Sequence, residues 1–200
     1  MRLISQVQED LVIAEFLFAE FYSDRFRSGI VETLGDYDSD LITKPNLENQ
    51  NDNQLRRDIL GQTRGFGRNT ELFENFPGEV TWYKAVFQKQ DLSEVMYINY
   101  SYWNELSSGT RLPIHASKNI IENVEVYGLS NQGFYDISAA IKNGKVFPKL
   151  IFVAMDATSR VVVLEGHARL TAYYMDRKYI PDEMEVFIGY SDKFSEWDLY

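Results

Sequence analysis

The sequence predicts an α/β (α+β) fold in which helices flank a small mixed sheet and a helical extension precedes it. Two observations lead to this prediction. Short apolar runs rich in β-branched residues, which are typical of buried strands, recur in the second half of the chain. Segments with apolar residues at helical spacing separate these runs. The apolar share of 44% and the aromatic share of 14% exclude a disordered chain.

The N-terminal part is predicted to be one long helix over residues 6–31. Leu11, Ala14 and Phe21 recur at helical spacing, with acidic residues placed among them. We expect this helix to pack on the main domain. The alternative is a partner-binding helix, because its apolar surface is wide enough to need covering.

A polar loop is predicted over residues 35–54, which are rich in Asp, Asn, Ser and Pro. This loop marks the boundary between an N-terminal segment, residues 1–54, and a main domain, residues 55–200. Its Asp36, Asp38 and Asp40 have the first spacings of a calcium loop. Leu41 replaces the glycine that such a loop requires and Leu47 its closing glutamate, so a solvated acidic loop is the expected structure.

The main domain is expected to begin with a short helix that ends near Gly61 or Gly65, since glycine commonly follows the last helical turn. Residues 80–87 are aromatic and β-branched and predict a strand. Residues 91–106 predict a helix from their apolar spacing. The composition of residues 95–103 also suits a strand, which stays open as an alternative.

The second half of the domain has clearer signals. Residues 133–144 predict a helix that Gly144 ends shortly before a proline. Residues 150–154 and 161–164 are near-continuous apolar runs and predict two buried strands joined by a turn. A further helix after residue 166, a strand at 184–188 and a last helix near 194–199 complete the prediction.

Charge and composition exclude several classes of function. The formal net charge is −10, which opposes binding to a nucleic-acid backbone but leaves room for a small phosphorylated ligand in a local pocket. The chain has no cysteine, so disulfides, thiolate nucleophiles and cysteine-ligated metals are excluded. No leader pattern and no long apolar run occurs, so a cytoplasmic protein without a membrane partner is expected.

The most informative motif is Glu165-Gly166-His167-Ala168-Arg169, between a predicted strand and a predicted helix. A glycine turn followed by a helix start can hold an anion, because the first helical N–H groups are unpaired. We expect Arg169 to contact a phosphate, His167 to contact it or act as general acid or base, and Glu165 to act as base or Mg²⁺ ligand. The alternatives are structural: Glu165 pairs with Arg169, His167 is hydrogen-bonded, and Arg169 ties the loop to the core.

Three further arginines are candidates for additional contacts with the anion: Arg64, Arg68 and Arg111. The alternative is that these arginines pair with the abundant surface carboxylates. Tyr173 and Tyr174 follow the motif at positions that suit the core better than stacking on a base.

Residues 141–150 read IKNGKVFPKL, and residues 161–173 carry the second strand of the hairpin, the loop and the next helix. A helix that ends in glycine, a proline before a strand, and a hairpin leading into a Gly-x-x-Arg loop follow one another here. In this succession the chain resembles the ParB/sulfiredoxin superfamily, over residues 135–190, with residues 81–97 as an earlier strand and helix. The resemblance implies a mixed sheet flanked by helices and a loop that binds nucleotide phosphates.

The residues between the glycine and the arginine of the Gly-x-x-Arg loop distinguish the activities that the resemblance implies. Sulfiredoxin places its catalytic cysteine where this chain has His167, so that activity is excluded. Partition-type ParB proteins carry Gly-Glu-Arg-Arg and a downstream DNA-binding domain, which this chain does not match. Free-serine kinases of the superfamily carry a Gly-His-His-Arg loop, which Gly166, His167 and Arg169 match and Ala168 does not.

Three functions follow as competing hypotheses. The first is binding of a nucleotide or other phosphorylated small ligand at the motif, with Mg²⁺ as a candidate cofactor and phosphohydrolase or kinase activity as a further expectation. The second is a non-catalytic regulatory module that binds a protein partner through the N-terminal helix. The third is a nuclease, which the negative charge opposes.

Overall fold

The computed structural model describes residues 1–200 and contains five β-strands and nine α-helices. The strands are β1 (Arg2–Val7), β2 (Thr81–Gln88), β3 (Leu150–Ala154), β4 (Val162–Glu165) and β5 (Glu183–Tyr190). The helices are α1 (Glu9–Phe21), α2 (Arg27–Leu34), α3 (Asp40–Thr43), α4 (Gln50–Arg64), α5 (Lys89–Leu92), α6 (Ser101–Leu106), α7 (Pro113–Ile121), α8 (Gln132–Lys142) and α9 (His167–Met175). Three 3-10 helices lie at Glu71–Phe73, Arg177–Tyr179 and Asp192–Glu196.

All five strands form one mixed sheet in the order β1-β2-β5-β3-β4. The pairs β1–β2, β2–β5 and β3–β4 are antiparallel, and the central pair β3–β5 is parallel. The predicted α/β (α+β) class with a small mixed sheet is therefore confirmed. Because β4 is an edge strand and leads directly into α9, the motif that joins them lies at one border of the sheet.

The sheet separates two hydrophobic clusters, and alternate residues of β3 point into each. Ile151 and Val153 belong to a cluster covered by α1, α2 and α4, whereas Leu150 and Phe152 belong to one covered by α7, α8 and α9. This alternation follows from the twofold side-chain period of a strand. Both faces of β3 are buried, which explains its unbroken apolar sequence.

Local signals fix several helix ends. The Asn49 side chain accepts hydrogen bonds from the backbone amides of Asn51 and Asp52 and so caps the start of α4. Gly65 ends α4 in the left-handed region at φ 85°. Gly144, at φ 77°, follows the end of α8. Both glycines were expected at helix ends.

The prediction of one helix over residues 6–31 is wrong. Residues 2–7 form β1, which pairs with β2, and the chain then forms α1 and, after a break at residues 22–26, α2. The helical apolar spacing extends across this break because α1 and α2 both pack into the same cluster as α4. Pairing with a strand 80 residues away is invisible to local periodicity.

The predicted loop at residues 35–54 contains α3 and the first turn of α4. Because α4 runs across residue 54, β1 lies in the sheet and α1 lies in the core, residues 1–54 are integral to the fold that residues 55–200 complete. None of the helices combines the length and the apolar character that spanning a membrane requires.

The region 91–106 differs from the single predicted helix. It contains the end of α5, a connection without regular structure and then α6. Within this connection Met96 forms one isolated parallel bridge with Val162, and the alternative strand over residues 95–103 does not form. Helix α7 lies where no element was predicted, and the last predicted helix, at 194–199, is a 3-10 helix at Asp192–Glu196.

Candidate functional site

The loop between β4 and α9 adopts the predicted strand, glycine and helix-start arrangement. Gly166 has φ 103°, a backbone conformation that residues with a β-carbon rarely adopt, and a β-carbon built on it would overlap the end of the Leu150 side chain, so this position favours glycine. The Leu170 amide donates to the Gly166 carbonyl at 2.8 Å. The amides of the preceding helical residues, His167 to Arg169, therefore lie at an N-terminus without intrahelical acceptors, where an anion is favoured.

The buried side chain of Arg169 connects this loop to a neighbouring segment of the chain. Its side chain is 8% exposed, and its Nη2 donates to Glu165 Oε1 at 2.9 Å. Its Nη1 donates to the carbonyl of Pro148 and, at 3.5 Å, to that of Lys149. The guanidinium therefore ties the loop to the segment entering β3, which is the structural alternative. Glu165 is engaged in the same contact and does not form part of a carboxylate cluster.

His167 is held in an aromatic stack. Its ring lies 5.0 Å from that of Trp103 at 16° and 6.0 Å from that of Tyr97 at 20°. Its Nε2 is buried without a hydrogen-bond partner. Burial first, and then nearby arginine charges, lower the pKa of His167 to about 3, so the imidazole is neutral near pH 7.

Two hydrogen bonds through Thr171 link Tyr97 of this stack to the backbone of His167. The Thr171 hydroxyl donates to the His167 carbonyl at 2.7 Å and lies 2.6 Å from the Tyr97 hydroxyl. Because the single proton of Thr171 is used on the carbonyl, Tyr97 is the donor in the second bond. Burial raises the pKa of Tyr97 well above its ordinary value, so this donor stays protonated. The start of α9 is therefore fixed by both stacking and hydrogen bonding.

Glu20, on α1, is a buried carboxyl group near the loop that sequence patterns did not indicate. Its side chain is completely buried, and its Oε1 pairs with Arg64 Nη1. Its Oε2 has no hydrogen-bond partner. Burial raises the pKa of Glu20 to about 8, the charge of Arg64 opposes this, and Glu165 adds to it. Within the periodic pattern of α1, Glu20 resembled an exposed acidic residue.

Two arginines flank this carboxyl group and form a positively charged rim. The Arg64 guanidinium lies 4.3 Å from the ring centroid of Phe26, and that of Arg25 lies 5.0 Å from the same centroid. Arg25 is exposed and forms no ion pair. The charges of both arginines lower the pKa of His167, so both lie near enough to act electrostatically on the start of α9. Arg25 and Phe26 were not predicted as site residues.

The other predicted anion contacts lie differently. Arg68 is exposed and packs against Gly61, with no contact to the loop. Arg111 donates to the carbonyls of Tyr97, Leu199 and Tyr200 and so fixes the C-terminal segment. Of the three arginines, the structure thus brings only Arg64 to the candidate site.

Tyr173 and Tyr174 pack against the cluster that α7, α8 and α9 cover, as expected of core residues. Tyr174 is almost fully buried, and its hydroxyl has no hydrogen-bond partner. Neither ring is placed beside His167 in the aromatic stack.

The chain brings together no group of three or more His, Asp or Glu side chains that could bind a metal ion. Glu165, the predicted Mg²⁺ ligand, is paired with Arg169 in this structure. In the acidic loop, Asp38 accepts from the Asp40 amide and Asp40 pairs with Lys44. These local contacts use the carboxylates that a calcium loop would require.

The apolar surface proposed for partner binding is mostly covered by the protein itself. Phe16, Leu17 and Phe21 of α1 are buried in the core, whereas Tyr22 is 57% exposed. No broad apolar face of α1 is left for another chain.

Two open surface cavities, of about 450 and 280 Å³, lie apart from the loop. The first is lined by nine residues, among them Glu9, Glu79, Asp192 and Lys193, and the second is lined by residues 75–78, Lys193 and Glu196. Their carboxylates would repel an anionic ligand. Neither cavity shares a residue with the candidate site.

No family model matches the chain, and neither a curated protein nor a solved structure does. The resemblance to the ParB/sulfiredoxin superfamily thus stays a prediction that rests on residues 135–190.

Proposed function

We propose that the protein binds a nucleotide or other phosphorylated small ligand at the N-terminus of α9. One observation carries the proposal: Glu20 Oε2 and His167 Nε2 are buried without hydrogen-bond partners, and the same three arginines, Arg25, Arg64 and Arg169, act on both groups. Buried polar atoms in folded proteins are normally hydrogen-bonded, so two unpaired atoms in a shared positive environment favour an anionic ligand. Arg25 and Arg64 supply the positive charge that a phosphate requires.

The local charge supports an anion in spite of the acidic chain. The charges of Arg25, Arg64 and Arg169 act on both Glu20 and His167. Because burial favours the protonated form of Glu20, Glu165 is the principal negative charge among these groups at neutral pH. A cluster with three guanidinium groups and one full carboxylate charge is positive, whereas the chain has a net charge of −10.

The residues divide into a support and a contact surface. Arg169 and Glu165 hold the loop, and Trp103 and Tyr97 hold His167. The rim arginines and the amides at the start of α9 are then the groups that a phosphate would contact. Since His167 is neutral and Glu165 is ion-paired, this arrangement supports binding more strongly than phosphoryl transfer.

Isothermal titration with ATP, ADP, CTP and GTP, with and without Mg²⁺, tests the proposal. We expect Arg25→Ala to weaken binding about 10- to 100-fold, the range for losing a hydrogen bond to a charged group. Arg27→Ala is the matched control, because Arg27 is also exposed but lies over the ring of Phe21. Absence of heat with every nucleotide, or equal binding by the Arg25 variant, would contradict the proposal.

Turnover is measured on the same samples as release of inorganic phosphate. Binding without release identifies a binding module, and release that depends on Mg²⁺ identifies a phosphohydrolase whose metal is carried by the nucleotide. Both outcomes are compatible with the site, because it provides anion contacts without a protein-built metal centre.

A further inference from the structure

We infer that the Glu20 carboxyl group contacts the ligand directly and donates one hydrogen bond from Oε2 to an ionised oxygen of its terminal phosphate group. This inference rests on the proposed function and adds a specificity-determining residue from the N-terminal segment to a site otherwise formed around α9. The ligand class that fits is a terminal phosphate whose oxygens carry no proton.

The two carboxyl oxygens of Glu20 have different surroundings. Oε1 pairs with Arg64, and Oε2 is buried with no partner. The side chain is completely buried, so bulk water does not satisfy Oε2. Because buried polar atoms are normally hydrogen-bonded, we assign the phosphate oxygen of the ligand as the partner of Oε2.

The groups facing Glu20 decide whether Oε2 donates or accepts. Arg64 from α4, Arg25 from the α1–α2 connection and Arg169 from α9 favour the ionised form, whereas Glu165 at the end of β4 opposes it. Burial outweighs these charges and raises the pKa of Glu20 to about 8. Near neutral pH the carboxyl group is therefore a donor, and a donor matches an ionised phosphate oxygen.

Electrostatic repulsion also favours a protonated Glu20 when a phosphate is bound. An ionised Glu20 would place a second carboxylate beside Glu165 at the proposed phosphate position, and both would repel the ligand. A protonated Glu20 removes this repulsion and adds a hydrogen bond. Loss of one proton from the site should therefore weaken binding as the pH rises above the pKa of Glu20.

The test is calorimetric titration of ADP without metal from pH 7.0 to 9.5, where the terminal phosphate, with a second pKa near 6, is already ionised. For the natural protein we expect the dissociation constant to rise about tenfold per pH unit once Glu20 is ionised. For Glu20→Gln, which keeps an N–H donor and an oxygen for Arg64, we expect no such rise. Glu105→Gln, at an exposed position on α6, is the control and should behave as the natural protein does.

The outcomes separate the inference from the proposed function. ADP binding that is independent of pH, or that falls equally in Glu20→Gln, overturns the donor role and leaves the phosphate site intact. If the natural protein binds none of ATP, ADP, CTP and GTP at any pH, the proposed function is overturned and the donor role fails with it. If it binds one of the others but not ADP, the same pH titration is carried out with that nucleotide and decides the donor role.

A second measurement covers the case in which Glu20→Gln does not fold. Carbon-13 NMR of the glutamate carboxyl signals in the natural protein should show one group that titrates above pH 7 and shifts when ADP is added. If every glutamate signal titrates below about pH 6, the range of unperturbed carboxyl groups, the inference is wrong.

Discussion

The imidazole of His167 lies nearly parallel to the indole of Trp103, with ring centroids 5.0 Å apart and planes inclined by 16°. This contact joins the start of α9 to α6, a helix from a different part of the chain. It places His167 in an apolar environment, where the neutral imidazole is favoured. The indole therefore controls both the position and the charge of the histidine.

We expect Trp103→Ala to remove this control. The pKa of His167 should rise towards its ordinary value as water reaches the ring, and the free energy of unfolding should fall by about 2–4 kcal/mol, near the range for loss of a large aromatic side chain. NMR titration of His167 and urea unfolding measure the two effects. Trp103→Phe, which keeps an aromatic ring, should give smaller changes, and an unchanged histidine pKa in Trp103→Ala would contradict this account.

His167 should also make the protein sensitive to acid. Its pKa is lowered in the folded state, so its contribution to stability is present above pH 6.5 and is lost as the pH falls towards 3. Between pH 7 and pH 4.5 this contribution amounts to about 2–3 kcal/mol, from 1.36 kcal/mol per pKa unit. His167→Gln should remove that part of the pH dependence in urea unfolding.

His115→Gln is the matched control for this experiment. His115 is exposed and lies at the surface beside Thr110, with its Nδ1 2.8 Å from the Thr110 hydroxyl. The variant should keep the acid sensitivity of the natural protein. Equal pH profiles for His167→Gln and the natural protein would show that the buried imidazole does not cause the sensitivity.

Gly166→Ala tests the loop itself. The substitution places a β-carbon 2.3 Å from Leu150 Cδ2 at a position with φ 103°. We expect a loss of about 2–4 kcal/mol in the free energy of unfolding, from the left-handed backbone and overpacking together. Gly144→Ala isolates the backbone effect, because its φ is 77° and no atom lies within 4 Å.

The loss for Gly144→Ala should be about 1 kcal/mol, the cost of the left-handed conformation alone. The difference between the two variants measures the contact with Leu150. If both variants lose the same amount, the close approach of the Gly166 loop to Leu150 is relieved without cost and does not restrict this position.

The N-terminal helix is expected to be essential for folding. Leu17 is completely buried, so Leu17→Ala should lower the free energy of unfolding by about 2–5 kcal/mol. Val31→Ala, at an exposed position on α2, should change it by no more than about 0.5 kcal/mol. Urea unfolding followed by circular dichroism measures both values.

A fragment consisting of residues 35–200 extends this prediction. It lacks β1, α1 and α2 and exposes one face of the sheet, so we expect no cooperative unfolding transition. A fragment that unfolds cooperatively would show that residues 1–34 form a separable module, which would renew the case for partner binding through α1.

Features with a local cause could be predicted from the sequence. The ends of α4 and α8 at Gly65 and Gly144, and the glycine turn at Gly166, follow from backbone conformations that favour glycine. Helix α7 begins with Pro113 in its first turn, a common start signal that the sequence prediction overlooked. The mixed sheet followed from its apolar runs.

Features that depend on distant contacts could not be predicted. Strand β1 forms because Leu3 lies opposite Ala85 in β2, and no local pattern encodes that pairing. Glu20 and Arg64 meet only because α1 packs on α4. For Arg169 the motif indicated that the residue is important. It did not indicate that the guanidinium binds carbonyl groups inside the protein, because those carbonyls belong to a distant segment.

The contact between Glu15 and the Lys149 amide joins residues that are 134 positions apart. Contacts of such long sequence separation are slow to form, because a large loop must close before they contribute. During synthesis, α1 leaves the ribosome long before the segment that precedes β3. We therefore expect the candidate site to be assembled late in folding, with α1 exposing its apolar face until the last third of the chain is available.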